Sequence, residues 1–341
     1  MVVSPCQAHL SGVNTTILFG PELQFSGDLV AMSEHQPSNE ELTFGAGLSA
    51  IFLCILFGSN AVAIKITFSG LGVFTTAAIR FGIAAVAIFL WAKITGQNTA
   101  LKKGQFRQVL IFASLFTIQL SLFYLGLSKS NASRGTLLAN LLPFFILFLA
   151  HFFIAGDRIN KRKFFGILLG FGGVVFMFLD DKDLSAGIRT GDLIILLAVV
   201  IWSCSTVYLK RVIGTFSPFQ IVMYSALFSV PFFFIEALLW DDSMVFHLDA
   251  PVIGALLYQS LITASFGFVA WNTMLKKYGA VSLHAFIFIM PIAGVALGGL
   301  VLGEPITIKI LLALVFIVSG IIVVHWKTRE EPPVYPIRRS I

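Results

Sequence analysis

The sequence predicts an all-α integral membrane protein of ten transmembrane helices, built as two inverted five-helix repeats with both termini cytoplasmic. Three observations carry this: a composition too apolar for a water-soluble core, apolar runs recurring at membrane-spanning length, and self-similarity between the two halves. Of 341 residues, 57% are hydrophobic and only 12% charged, against about 25% charged in a soluble domain. A soluble fold of this composition would leave large apolar patches facing water. The bilayer is therefore the solvent for most of the chain, and the 35 Phe residues suit lipid-facing helices.

Residues 1–45 differ in kind. They hold no Lys or Arg but carry Glu22, Asp28, Glu34, Glu40 and Glu41. Signal peptides and presequences need a basic start, so this stretch reads as a disordered acidic tail. Met32 followed by "SEHQPSNEEL" reads as the natural start, which would leave residues 1–31 outside the native protein. A span needs about 20 apolar residues. Runs of that kind fall at 46–68, 74–95, 106–128, 132–154, 162–180, 191–213, 217–240, 251–275, 280–302 and 306–326. Residues 327–341 form a basic tail.

Loop cations set orientation. With a cytoplasmic N-terminus, the inner side holds Lys93, Lys102, Lys103, Arg107, Arg158, Lys161, Arg162, Lys163, Lys210, Arg211, Lys276, Lys277 and the C-terminal cations. The outer side holds Lys129, Arg134, Lys182 and Arg189. The net charge of +6 is thus an orientation signal and not a nucleic-acid patch. Cys6, Cys54 and Cys204 are too scattered for a disulfide framework or a metal site.

Shifting the chain by 145 residues lays "FGSNAVAIK" (57–65) over "WSCSTVYLK" (202–210), Lys65 on Lys210 and Phe74 on Phe219. Ala132 then meets Ala280, Pro143 meets Pro291, Gly156-Asp157 meets Gly303-Glu304, and Gly173 meets Gly320, with a drift of three residues. The halves are 46–180 and 191–326. Five helices is an odd number, so the second half enters from the opposite side. Such inverted repeats are common in secondary transporters.

These residues carry a resemblance. "FGSNAVAIK", Arg80 in "TTAAIRFG", "FYLGLSKSNASRGTLLANLLPFF", and the Gly-acid pairs of "GDR" and "GEP" resemble, in that order, the drug/metabolite transporter superfamily, specifically its ten-helix EamA-type members. The resemblance covers about 46–326 and departs at Asp157, where the family usually has Glu, and at Ser203, opposite Gly58. It implies export of a metabolite or amino acid, driven by an ion gradient or exchange. The partners it implies are a small-molecule solute, the lipid bilayer, a coupling ion or counter-solute and a second copy of the chain in a homodimer. The localisation it implies is the inner or plasma membrane.

Ionisable residues inside spans are functional candidates. Lys65 lies roughly 28 Å from Ala46 along its helix, near the outer interface, and Lys210 lies at the inner end of helix 6. Each fits an interfacial anchor or a pathway lining. The lysine stripes, Gly58 and Ala61 with Lys65 and Ser203 and Thr206 with Lys210, are small or polar and point to the bundle interior. Asn60 lies about 140° away from the first stripe and is expected to bond a neighbouring helix. Arg80 lies roughly 10 Å below the outer end of helix 2; it pairs with Glu236 or contacts solute. Gln119, Tyr124, Asn140, Gln259 and His284 are polar candidates for a cavity lining, and Trp202 for its wall. Pro143 and Pro291 each free a backbone carbonyl four residues earlier and are hinge candidates. The glycines of "GILLG" and "GVALGG" read as sites of close helix packing.

No Walker, HExxH or GxSxG signature occurs, so no catalytic residue, cofactor or enzyme activity is expected. Two readings remain beside the exporter: an anionic-solute exchanger (phosphorylated metabolites or nucleotide-sugar-like solutes) using Lys65, Arg80 and Lys210, and a non-transporting scaffold or sensor. The depths of the two lysines argue against the first, and the inverted repeat against the second.

Overall fold

The computed structural model describes residues 43–153, 159–178, 186–284 and 286–325. The acidic tail to residue 42, the Met32 start, Gly156-Asp157, Lys182 and the basic tail lie outside these residues. The described residues form helices and no strands, with one isolated bridge between Leu71 and Val245. Eight helical segments are long and apolar enough to cross a membrane, and Ile289–Leu302 is a shorter apolar helix.

The chain opens with α1 (Phe44–Gly58), whose N-terminus is capped by the Thr43 side chain, and α2 (Asn60–Thr67). Next come α3 (Val73–Ile94) and α4 (Gln105–Lys129). The expected fourth span is two pieces, α5 (Ala132–Ala139) and α6 (Leu142–Phe153), with the break at Asn140 and Leu141, just ahead of Pro143 in the first turn of α6. A proline disfavours helix in the residue ahead of it and starts a helix well. The series continues with α7 (Lys161–Phe178) and α8 (Ala186–Val212). In α9 (Pro218–Trp240), Ser217 and Gln220 form a reciprocal capping box ahead of the first turn.

The expected eighth span is regular only at its ends. It comprises α10 (Ala250–Leu257), a π-helical stretch (Tyr258–Gly267) and α11 (Phe268–His284). α11 runs through 276–279, where a loop was expected. The expected ninth span, 280–302, is therefore divided: its first residues finish α11, and α12 (Ile289–Leu302) begins just ahead of Pro291. Gly303, at φ +66°, ends α12, and α13 (Ile308–His325) follows.

Large apolar side chains such as Phe52, Phe89, Phe148, Phe164 and Leu238 are exposed, while Ala50, Ala77, Ser203 and Thr263 are buried. Small and polar residues inside with large apolar residues outside is the distribution a lipid solvent selects. The small residues allow close approach. α7 lies along α13: a Cβ on Gly166 would stand 2.9 Å from the Gly320 carbonyl oxygen, and one on Gly320 2.6 Å from that of Gly166. α4 lies along α8 in the same way, through Gly126 and Gly191, each 2.7 Å from the other's carbonyl. α3 packs on α9 and α5 on α12. Both expected glycine motifs are close contacts: Gly170 abuts the Phe144 ring and Gly294 the Thr136 side chain.

Candidate functional site

The helix breaks and the π-helical stretch gather the buried polar residues. Between α1 and α2, Ser59 Oγ donates to the Leu56 carbonyl (2.9 Å) and meets the Tyr258 hydroxyl at 2.5 Å. The Tyr258 hydroxyl also lies 3.1 Å from the Leu56 carbonyl oxygen. A serine turned back on its own helix weakens it locally, and Gly-Ser is a recurrent kink pair. Across the same contact, Thr263 donates to Asn60 Oδ1 (3.1 Å), so Asn60 bonds a neighbouring helix as expected. π-helical turns are rare and concentrate at functional sites; this one presents Tyr258, Gln259 and Thr263 to the first half of the chain.

Arg80 is the centre of the group. It is 2% exposed, on α3. Its Nη1 donates to the Tyr124 hydroxyl at 2.9 Å and to Gln259 Oε1 at 3.5 Å. Tyr124 in turn donates to Gln259 Oε1 (3.3 Å), and Gln259 Nε2 donates to Thr67 Oγ1 (3.0 Å), which donates to the Ile64 carbonyl (2.7 Å). The guanidinium carbon lies 5.0 Å from the Phe81 ring centroid. All these partners are neutral. Arg80 Nε is buried with no hydrogen-bond partner, and no described carboxylate pairs with this residue. The expected alternative partner, Glu236, instead accepts from Ser121 Oγ at 2.8 Å. Neighbouring helices have turned Arg80 toward α4 and the π-helical stretch.

Other charges secure helix ends. Lys65 Nζ donates to the carbonyls of Ser130 (2.9 Å) and Leu127 (3.3 Å), capping the C-terminus of α4, where a cation meets the negative end of the helix dipole. Beyond the turn, Glu304 accepts from the Ala132 and Ser133 backbone N–H groups (2.6 and 2.8 Å) and from Ser133 Oγ (2.6 Å), capping α5. Asp241 caps α3 in the same manner through Phe74 N (3.1 Å) and Thr75 N (2.8 Å). Arg134, assigned above to the outer loops, is buried and paired with Asp192 through Nε (2.7 Å) and Nη2. Ser130 Oγ donates to the other oxygen of Asp192 (2.5 Å).

The EamA-like transporter family matches this chain twice, over residues 45–179 and again over 189–326. The chain belongs to the EamA-like transporter family. It is therefore a multi-pass membrane protein of a transporter family. It is 27% identical over 302 residues to the uncharacterized transporter YetK of Bacillus subtilis (strain 168), covering 86% of this chain and 90% of that one. It is 26% identical over 285 residues to a protein of Escherichia coli (strain K12) called "Probable amino-acid metabolite efflux pump", covering 81% and 93%. A solved crystal structure at 18% identity matches its fold with a TM-score of 0.63, over 85% of this chain and 99% of that one.

In this EamA-like chain, Arg80, Tyr124 and Gln259 form one cluster, with Lys65 little more than a turn along α4 from Tyr124. Gln119 is buried with an unpartnered Oε1. Gly58 is a packing contact, where a Cβ would stand 2.5 Å from the Met290 carbonyl oxygen. Asn140 Nδ2 donates to the Thr136 carbonyl within its own helix (2.8 Å). Ser203 and Thr206 likewise donate to their own helix, at Val200 and Trp202, and the Trp202 side chain is half-buried. Lys210 is exposed near the end of α8, apart from the Arg80 cluster. His284 is the last residue of α11, and its side chain lies outside the described ones. Sequence reasoning missed Ser59, Thr67, Tyr258 and Thr263. The polar run Tyr258-Gln259-Ser260 inside an apolar span was the signal for Tyr258.

Proposed function

We propose that this protein is a secondary-active exporter of a small metabolite or amino acid. It works by alternating access between two inverted repeats, 46–180 and 191–326, each of five spans. The observation that carries the reading is the twofold family match, once over each half. The packing supports it: α3 with α9 and α7 with α13 are pairs in equivalent places of the two halves. Interrupted helices next to buried polar groups are the usual site architecture in such transporters. Here the interruptions are the α1–α2 kink, the π-helical stretch, and the breaks ahead of Pro143 and Pro291, which serve as hinges. The amino-acid cargo is carried over from the name of the Escherichia coli relative. The protein sits in the plasma membrane with both termini cytoplasmic and is driven by a coupling ion or a counter-solute.

The test is a mass-spectrometric comparison of growth medium from cells with and without the protein. Export predicts that one or a few small solutes accumulate outside only in expressing cells. Identical media across growth phases, with the protein present in the membrane, would contradict it. One observation favours a narrower form of this reading, an anionic solute: Arg80 is a buried cation with neutral partners only.

A further inference from the structure

We infer that the transported solute carries a carboxylate and that the Nε/Nη2 edge of Arg80 receives it. The inference deepens the exporter reading and rests on it. Arg80 is nine-tenths and more buried, inside a chain whose solvent is lipid. Such a charge is rare unless it is paired or serves a pathway. Among the described residues its hydrogen bonds are to Tyr124 and Gln259, both from Nη1.

Those two bonds fix which edge is left. Tyr124 accepts from Arg80 and donates to Gln259 Oε1; Gln259 Nε2 donates to Thr67 Oγ1, whose hydroxyl donates to the Ile64 carbonyl. The chain of bonds clamps one side of the guanidinium and leaves the opposite side, with Nε unpartnered. Nε–H and Nη2–H are parallel donors, the pair that meets both oxygens of a carboxylate. A second orphan lies on the same face: Thr76 Oγ1 is buried without a partner one turn before Arg80. Helical side chains lean toward the N-terminus, so the Arg80 side chain lies over the turn of Thr76. Its hydroxyl is a further unpartnered donor on that helix face.

One guanidinium matches one single negative charge. A phosphate dianion asks for a second cation; of those at this end of α4, Lys65 bonds the Leu127 and Ser130 carbonyls, Arg134 is paired with Asp192, and Lys129 is exposed. Charge count therefore points to a monoanion, and the parallel donors fit a carboxylate. The aromatic surroundings, Phe81 beneath the guanidinium and Phe68 edge-on to Tyr124 at 5.9 Å, exclude water from the pair.

The test uses the full chain in liposomes loaded with a water-soluble metabolite extract of bacterial cells. Solutes released with time are identified by mass spectrometry. The expected result is release of carboxylate-bearing solutes. Arg80→Gln should lower their initial rate at least tenfold. Arg80→Lys keeps the charge but lacks the parallel donor pair, and should lower the rate at least threefold with a raised KM. If Arg80→Gln does not yield a monodisperse protein, Arg80→Lys decides. Release by the wild type of solutes lacking a carboxylate, or wild-type rates in the folded variants, would overturn the carboxylate site and leave export standing. Release of nothing by the wild type would overturn export and this inference with it.

Discussion

At the scale of single residues, the buried ions have different tasks. Arg134 and Asp192 neutralise each other, and Ser130 satisfies the second carboxylate oxygen. Such a pair is weak evidence for stability in itself, but removing one partner strands a buried charge and costs about 3–5 kcal/mol. Asp192→Asn is therefore expected to lower the melting temperature of the detergent-purified protein sharply, and the double variant Arg134→Met/Asp192→Leu to recover most of the loss. A single variant melting with the wild type would show that the pair contributes nothing. Arg80 has no such partner, which is why its charge is available to a solute. That Arg80 is a candidate was legible from its depth in a span; its partners were not. Choosing between Glu236 and Tyr124 requires knowing which faces of α3, α4 and α9 meet, and one sequence without its contacts does not say. Arg134 and Asp192 left a signal that passed unread: opposite charges in the first turns of two predicted spans, 132–154 and 191–213.

At the scale of elements, apolar run length located eight membrane-length helices among the described residues, because the hydrocarbon thickness fixes how many residues a span needs. Irregularities inside spans were legible only where a residue type forces them. Pro143 and Pro291 lie at the starts of α6 and α12, whereas the α1–α2 kink at Gly58-Ser59 falls inside the expected span 46–68 and was not anticipated. The π-helical stretch has no sequence signature, since its wider hydrogen-bond register depends on contacts with α1, α2 and α3. Glycine roles were likewise legible as a class and settled by contact. Gly191→Ala would drive a methyl into the α4 backbone and is expected to destabilise by about 1–3 kcal/mol. Gly254→Ala, with nothing within 4 Å in α10, is expected to stabilise by about 0.5–1 kcal/mol through helix propensity. Thermal melts of both variants check this. Equal shifts would show that the α4–α8 contact is looser than its geometry.

At the scale of the whole molecule, the central claim is that two halves of like sequence sit in opposite orientations and take turns opening. The proposed repeat is read from the ordered anchors that run from Lys65 and Lys210 to Gly173 and Gly320. The packing of α3 with α9 and of α7 with α13 suits it. Ser69 and Gly214 are equivalent under the 145-residue shift, and both are exposed. Each follows the first helix of its half. The direct measurement is labelling of Ser69→Cys and Gly214→Cys, one at a time, by a membrane-impermeant maleimide. It is done in a chain freed of Cys6, Cys54 and Cys204, on intact cells and on inverted vesicles. Inverted repeats predict that Ser69→Cys labels only from outside the cell and Gly214→Cys only from the cytoplasmic face. Labelling of both from the same face would contradict the account.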